Sequence, residues 1–304
     1  MVKIIYSSKY EIDIGQHVFK TEKYRMIHDK LIKEHVLKES DFALPPMPSD
    51  DDLKLAHTAD YVQRFKSGCL TSKEVHQIEL PYTIDLLEVA YLWVGGTIAA
   101  CHEALKHGVG IHLGGGFHHA YADHGEGFCA FNDIAVAIRK LQKTGMIKRA
   151  MVIDCDLHQG NGTAKIFEGD DSVYTFSIHQ ELNYPTPKEK SSMDIGLPDE
   201  TGDEEYMGYL QDAIPGILNR YKPDIIIYVA GADTYELDKL GGLALSIKGM
   251  QERDKFIFEE ACTHKIPVAV VLAGGYAYDV AETVTIHANC IKTALRYIRY
   301  APIA

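Results

Sequence analysis

Asp154, Asp156 and His158 stand at i, i+2 and i+4, directly behind an apolar run at residues 150–153. On an extended backbone all three side chains point to one side, and carboxylates with an imidazole suit a hard or borderline divalent cation. The Gly160-Asn161-Gly162 turn that follows lets the backbone approach such an ion closely. Alone, the segment also fits a capped strand-to-helix turn with paired polar side chains. Three other segments bear on that choice: His118-His119 behind Gly114-Gly115-Gly116-Phe117, Asp233 behind the apolar run at 224–229, and Tyr276 behind Gly274-Gly275. Each has a plain structural alternative, namely one surface and one core histidine, a helix cap, and a packed aromatic. The glycine triplet is a poor phosphate cradle, because it lacks the Gly-x-Gly-x-x-Gly spacing and no Walker lysine follows. If Asp156, His158 and Asp233 share one crevice, a zinc ion held there keeps positions open for water and substrate, as a hydrolytic site requires. Tyr276, freed by the glycines before it, can then turn its hydroxyl toward a developing oxyanion.

Residues placed in this way need strands that end side by side. Apolar, β-rich runs occur at 3–6, 109–113, 150–153, 173–178, 224–230 and 267–273, separated by helical patterns at 84–106, 133–144, 205–220, 246–263 and 280–299. Unbroken apolar strands alternating with helices predict an α/β fold: a single three-layer α/β/α domain over 1–304 with a mainly parallel central sheet. In such sheets ligands bind beyond the carboxyl ends of the strands, where all four chemistry-bearing segments fall. The prolines at 45–48 and the acidic stretch after Ser49 read as a loop leading into a capped helix.

The totals narrow the partners. A net charge of -12 argues against direct nucleic-acid binding, which draws on clustered Lys and Arg. Six cysteines without Cys-x-x-Cys spacing read as reduced thiols in a cytoplasmic protein. The N-terminus lacks the apolar core of a signal peptide, and no run is expected to span a membrane.

The motifs GGGFHHAYADHGEGFCAFND at 114–133, DCDLHQGNG at 154–162, AGADTYELDKLGGLALS at 230–246 and LAGGYAYD at 272–279 resemble the zinc-dependent histone deacetylase family. That family includes acetylpolyamine amidohydrolases and acetoin-utilisation proteins and has the arginase-deacetylase fold. PYTIDLLEVA at 81–90 and HQGNG at 158–162 resemble its class IV members in particular. The resemblance implies one catalytic zinc on Asp156, His158 and Asp233, proton transfer by His118 and His119, and a scissile carbonyl polarised by Tyr276. It adds Asp154 and Asn161 to the catalytic group, with Asn161 where relatives commonly carry an aspartate supporting the second histidine. Gly127 and Phe128 match one wall of an acyl channel, Tyr184 is the candidate for the facing wall, and Gly274 and Gly275 fall on substrate. A potassium ion is implied near Asp154, Asp156, His158, Ser177 and Ile178. Lys23 matches a place where an arginine often lies beneath the zinc, and no aspartate aligns at the pocket rim.

The activity implied is metal-assisted hydrolysis of an acyl-lysine amide, acetyl or longer fatty acyl, in a protein or peptide. A small acylated amine such as an acetylpolyamine is the alternative substrate. An acyl-lysine-binding pseudoenzyme is the non-enzymatic alternative, disfavoured because the ligand set and Tyr276 are all present.

Overall fold

Every residue of β3 (Val109–His112), β4 (Ala150–Asp154), β7 (Ile225–Val229) and β8 (Val268–Val271) is buried, as strands covered on both faces must be. With β1 (Ile4–Ile5), β2 (Phe42–Ala43), β5 (Val173–Gln180) and β6 (Met193–Leu197) they form one eight-stranded sheet in the order β2-β1-β3-β8-β7-β4-β5-β6. The computed structural model describes residues 2–298. Among these, every strand pair in the sheet is parallel. The apolar runs foresaw six of the strands. They missed β2, which has two residues, and β6, whose alternating exposed positions leave no continuous apolar signal.

Helices α1 (Lys23–Lys33), α2 (Asp50–Leu53), α3 (Ala59–Lys66), α4 (Ser72–Ile78), α5 (Ile84–His107), α6 (Asp133–Lys143), α7 (Asn161–Ile166), α8 (Asp203–Tyr221), α9 (Ile247–Thr263) and α10 (Val280–Leu295) flank the sheet. Helix α2 starts at the expected cap, with Ser49 and Asp52 bonding each other's backbone N–H groups. Helices α5 and α6 pack on each other, while α1, α10, α9 and α8 form a second contiguous row. Helix α5 is long and apolar enough to cross a membrane by length and composition. Its most apolar window is 72% buried inside the protein, packed on β3, β8 and α6, which accounts for a helix that is apolar nearly all round. The last helical pattern was drawn to residue 299, which lies outside the described residues; α10 itself ends at Leu295.

The strand order positions the chemistry. Strands β3, β8, β7 and β4 are consecutive neighbours, so the loops that leave their carboxyl ends emerge in one row. Those loops carry His118-His119, Tyr276, Asp233, and Asp156 with His158.

Candidate metal centre and active site

Asp156, His158 and Asp233 come together at the crest of the sheet, with one ligand atom of each within 4.8 Å of the others. They are 1%, 8% and 0% exposed. Strand β4 ends at Asp154, so the extended alternation expected through His158 does not hold. The Asp154 carboxylate instead turns to His118 Nδ1 at 2.7 Å and accepts the Asp156 N–H at 3.1 Å. That bend aims Asp156 and His158 at Asp233 and leaves Asp154 behind the histidines.

Backbone donors fix both carboxylates. Asp156 accepts from the N–H groups of His158 at 3.0 Å and Gly274 at 2.9 Å, and Asp233 Oδ1 accepts from Leu157 N–H at 3.0 Å. Asp233 Oδ2 is buried with no hydrogen-bond partner, while His158 Nδ1 stands 3.4 Å from it and 3.2 Å from Asp156 Oδ1. A Cβ on Gly274 would lie 2.0 Å from Asp233 Oδ2, so only glycine admits this approach. An unsatisfied buried carboxylate oxygen beside a second carboxylate and an imidazole nitrogen is what a divalent cation would satisfy. Burial opposes the imidazolium of His158, but the two aspartates prevail and raise its pKa to about 10; this is a strong local demand for positive charge. From below, the buried Arg253 guanidinium donates to the carbonyls of Cys155 at 3.2 Å and Gly231 at 2.9 Å, clamping both ligand loops.

The tandem histidines do share one cavity. Their Nε2 atoms are 3.1 Å apart, and the loop before them is held by Asp133, whose carboxylate accepts the N–H groups of Gly116 at 3.0 Å and Phe117 at 2.7 Å. Gly115 and Gly116 have φ of +73° and +87°, a conformation side chains disfavour. Burial works against a charged His118, yet Asp154 and Asp156 raise its pKa to about 9. His119 moves the other way, well below its ordinary value, through burial and the neighbouring His118 and His158. Its Nδ1 faces Asn161 Oδ1 at 2.6 Å. One histidine thus favours its protonated form and the other its neutral form.

Tyr276 lines the same cavity. Burial and the nearby Asp233 and Asp156 push its phenol well upward, so it stays a proton donor. Its backbone N–H is held by Asp238 at 2.6 Å. Gly127 and Phe128 both have positive φ, 51° and 66°, and are pinned to the carbonyls of Gln77 and Ile78. This aims the Phe128 ring at Tyr276, centroids 5.9 Å apart. Tyr184 and Phe128 both line the outer vestibule, which has a volume of about 230 Å³ and is also lined by Glu79, Asn183 and Leu240. Below it the inner cavity is only about 30 Å³. Lys23 of α1 closes off the space beneath: it is fully buried, donates to Ala273 O at 3.0 Å, and lies 5.4 to 5.6 Å from the ring centroids of Phe19, Tyr24 and Tyr276. Burial lowers its pKa to about 8.

Of the residues implied for potassium, Ser177 pairs in register with Asp154 across β4 and β5, its hydroxyl bonds His179 Nδ1 at 2.9 Å, and Ile178 is buried. Gly275, with φ of +145°, completes the turn before Tyr276. A larger open groove of about 770 Å³ near Met47, Ile84 and Tyr91 has no comparable set of ligating groups. The residues missed by sequence reasoning are Asp133, Asp238, Arg253 and Glu126. Three of them lie inside the motifs, whereas Arg253, in a helical pattern, carried no signal.

Comparison with known proteins shows the family and the fold. The histone deacetylase domain matches residues 17–291. An uncharacterised protein of Picosynechococcus is 37% identical over 292 residues, covering 96% of this chain and 97% of its own. Histone deacetylase 2 of Arabidopsis thaliana is 31% identical over 296 residues, covering 93% of this chain and 76% of its own. The solved HDA15 HD domain superposes with a TM-score of 0.78 at 22% identity, over 97% of this chain and 91% of that one, a likeness of fold.

Proposed function

From the premise that this chain belongs to the histone deacetylase family, we infer that it is a zinc-dependent deacetylase that hydrolyses acetyl-lysine amides in proteins or peptides. The observation that carries this reading is the convergence of Asp156, His158 and Asp233, with Asp233 Oδ2 unpartnered, under a cavity flanked by an acid, a base and a phenol.

Bound by these three residues, zinc supplies a Lewis acid that acidifies water and polarises a carbonyl. His119 takes the proton of the attacking water at Nε2, because its Nδ1 is turned to Asn161. Tyr276 donates its hydroxyl to the carbonyl oxygen as that oxygen gains negative charge. The His118 imidazolium, held by Asp154, returns a proton to the departing amine. Water and the amide become a carboxylic acid and an amine. Phe128 and Tyr184 flank the aliphatic stem and exclude water from it.

The 30 Å³ inner cavity favours acetyl over the longer fatty acyl groups that the class IV resemblance admits. That space is a small multiple of the ~10–15 Å³ that a single water requires, enough for a short acyl group. Forcing further methylenes into a packed site costs about 1–3 kcal/mol. Matched acetyl-, propionyl-, butyryl- and long-chain-lysine peptides, assayed by mass spectrometry with and without a chelator, test both parts. Acetyl should exceed butyryl in kcat/KM by about tenfold or more, and chelation should abolish turnover until zinc is restored. Efficiency rising with chain length would reject the acetyl assignment.

A second substrate class, acetylated polyamines, is favoured by exposed Glu79 at the vestibule and the net charge of -12, which attract a second ammonium group. Acetylpolyamines belong in the same assay. The family resemblance alone suggests a potassium ion beside the zinc loop, tested by exchanging potassium for sodium. The six cysteines without Cys-x-x-Cys spacing support a cytoplasmic location.

A further inference from the structure

Glu126, one residue before the Gly127-Phe128 turn, accepts two hydrogen bonds on a single oxygen. Its Oε1 receives Asn161 Nδ2 at 2.8 Å and the Tyr184 hydroxyl at 2.5 Å. Burial works against its charge, but hydrogen bonds from His124, Tyr184 and Asn161 hold its pKa below the usual value, so it is an ionised acceptor. Asn161 Nδ2 also reaches the Tyr121 hydroxyl at 3.1 Å, and that hydroxyl donates to Glu189 at 3.2 Å, which leaves its lone pairs to accept.

With acceptors on both bonds of the NH₂ group, the Asn161 amide has one orientation. Turned over, it would set its carbonyl oxygen against the Glu126 carboxylate. Asn161 Oδ1 is therefore fixed on His119 Nδ1, and a carbonyl oxygen only accepts. His119 must carry its hydrogen on Nδ1, and Nε2 keeps its lone pair for the cavity. The neighbouring His118 Nε2, 3.1 Å away, can donate to that lone pair in the resting site.

We propose that Glu126 is a positioning residue for deacylation, one oxygen fixing the tautomer of His119 through Asn161 and the stance of the Tyr184 wall through its hydroxyl. The base and the channel wall are thereby set by the same group. This inference rests on the deacetylase reading for its kinetic consequences and on geometry for its tautomer.

The test is histidine-ring ¹⁵N NMR of the full-length zinc-loaded protein without substrate, paired with steady-state kinetics. The wild type should show His119 protonated on Nδ1. Glu126→Gln presents an oxygen in the same place and should keep both the tautomer and turnover. Glu126→Ala should shift His119 toward the Nε2–H form and lower kcat about tenfold, the scale of outer-layer partners of a metal site. Tyr184→Phe should keep the tautomer and kcat but raise KM. A Glu126→Ala protein with wild-type tautomer and kcat would overturn the proposal, as would a Gln variant as impaired as the Ala one. So would Tyr184→Phe losing kcat at constant KM. Glu126→Leu, close in size and apolar, takes the place of the alanine variant if that one does not fold. The tautomer is read without turnover, so a wild type with the expected tautomer and no deacylation fails the functional reading and leaves the positioning of His119 standing.

Discussion

The floor of the pocket and its mouth are held by different forces. At the floor, Asp156, His158 and Asp233 are all under a tenth exposed, fixed by backbone N–H groups, and packed so tightly against Gly231 and Gly274 that an added Cβ would come within 2.7 Å of a carboxylate oxygen. At the mouth, Phe128, Tyr184, Asn183, Leu240 and Glu79 come from loops and are partly exposed, with Asn183 Nδ2 donating to the Leu240 carbonyl at 2.8 Å and the Phe128 ring meeting Tyr276 edge-on. A rigid floor preserves the reaction, and a loop-built mouth lets the substrate change without moving the reacting atoms. The floor also carries a cost that the mouth does not. Without a metal, Asp233 Oδ2 has only the His158 imidazole at 3.4 Å beside it, and a hydrogen bond left unmade at a buried oxygen costs about 1–3 kcal/mol.

That cost gives the largest expected effect and the first way to break the comparison. Asp233→Asn keeps the acceptor for Leu157 N–H but removes the negative charge. Turnover should fall on the order of 1000-fold or more with the loss of one of three metal ligands. Metal-free Asp233→Asn should nevertheless melt higher than metal-free wild type, because a buried charge is gone. Calorimetry on both proteins, with and without zinc, checks the sign. A metal-free variant that melts lower would mean that the floor is not under electrostatic strain.

Tyr276 belongs to the floor by chemistry and to the mouth by position, since it lines both cavities. Tyr276→Phe should retain zinc and fold and lose about 100-fold to 1000-fold in kcat, the value of one oxyanion donor at roughly 3–4 kcal/mol. Near-wild-type turnover in zinc-replete Tyr276→Phe would assign the residue to the wall alone.

The same division explains what was legible in the sequence. The floor is built by β3, β8, β7 and β4, whose unbroken apolar runs end at the motif loops, so its strands and ligands could be read together. The side on which Asp154 points could not, because the chain leaves extended geometry at residue 155. The depth of the pocket was legible only at Lys23, and there by resemblance. It is set by Phe19, Lys23 and Tyr24, which pack from the N-terminal segment against Ala273 and Tyr276, a contact no local pattern encodes. Arg253 reads as the solvated face of a helix until the fold buries it beneath both ligand loops. Glu126 lies in the motif at 114–133, but its role depends on Asn161 and Tyr184 reaching it from other loops.

The smallest expected effect concerns the join between the two regions. An aspartate at 161 would by itself stabilise the His119 imidazolium and raise its pKa, moving the acidic limb of kcat/KM to higher pH, since His119 must be neutral to act as base. The limb starts low because burial, His118 and His158 hold His119 well down. In this protein, however, Glu126 Oε1 sits 2.8 Å from the atom that would become the second carboxylate oxygen. Two carboxylates that close share a proton, so Asn161→Asp adds little net charge behind His119. The single variant should therefore move the acidic limb by less than about half a pH unit, whereas Asn161→Asp with Glu126→Gln should move it upward by about one unit or more. Equal shifts in the single and double variants, measured at saturating zinc, would show that the carboxylate at the mouth does not reach the base at the floor.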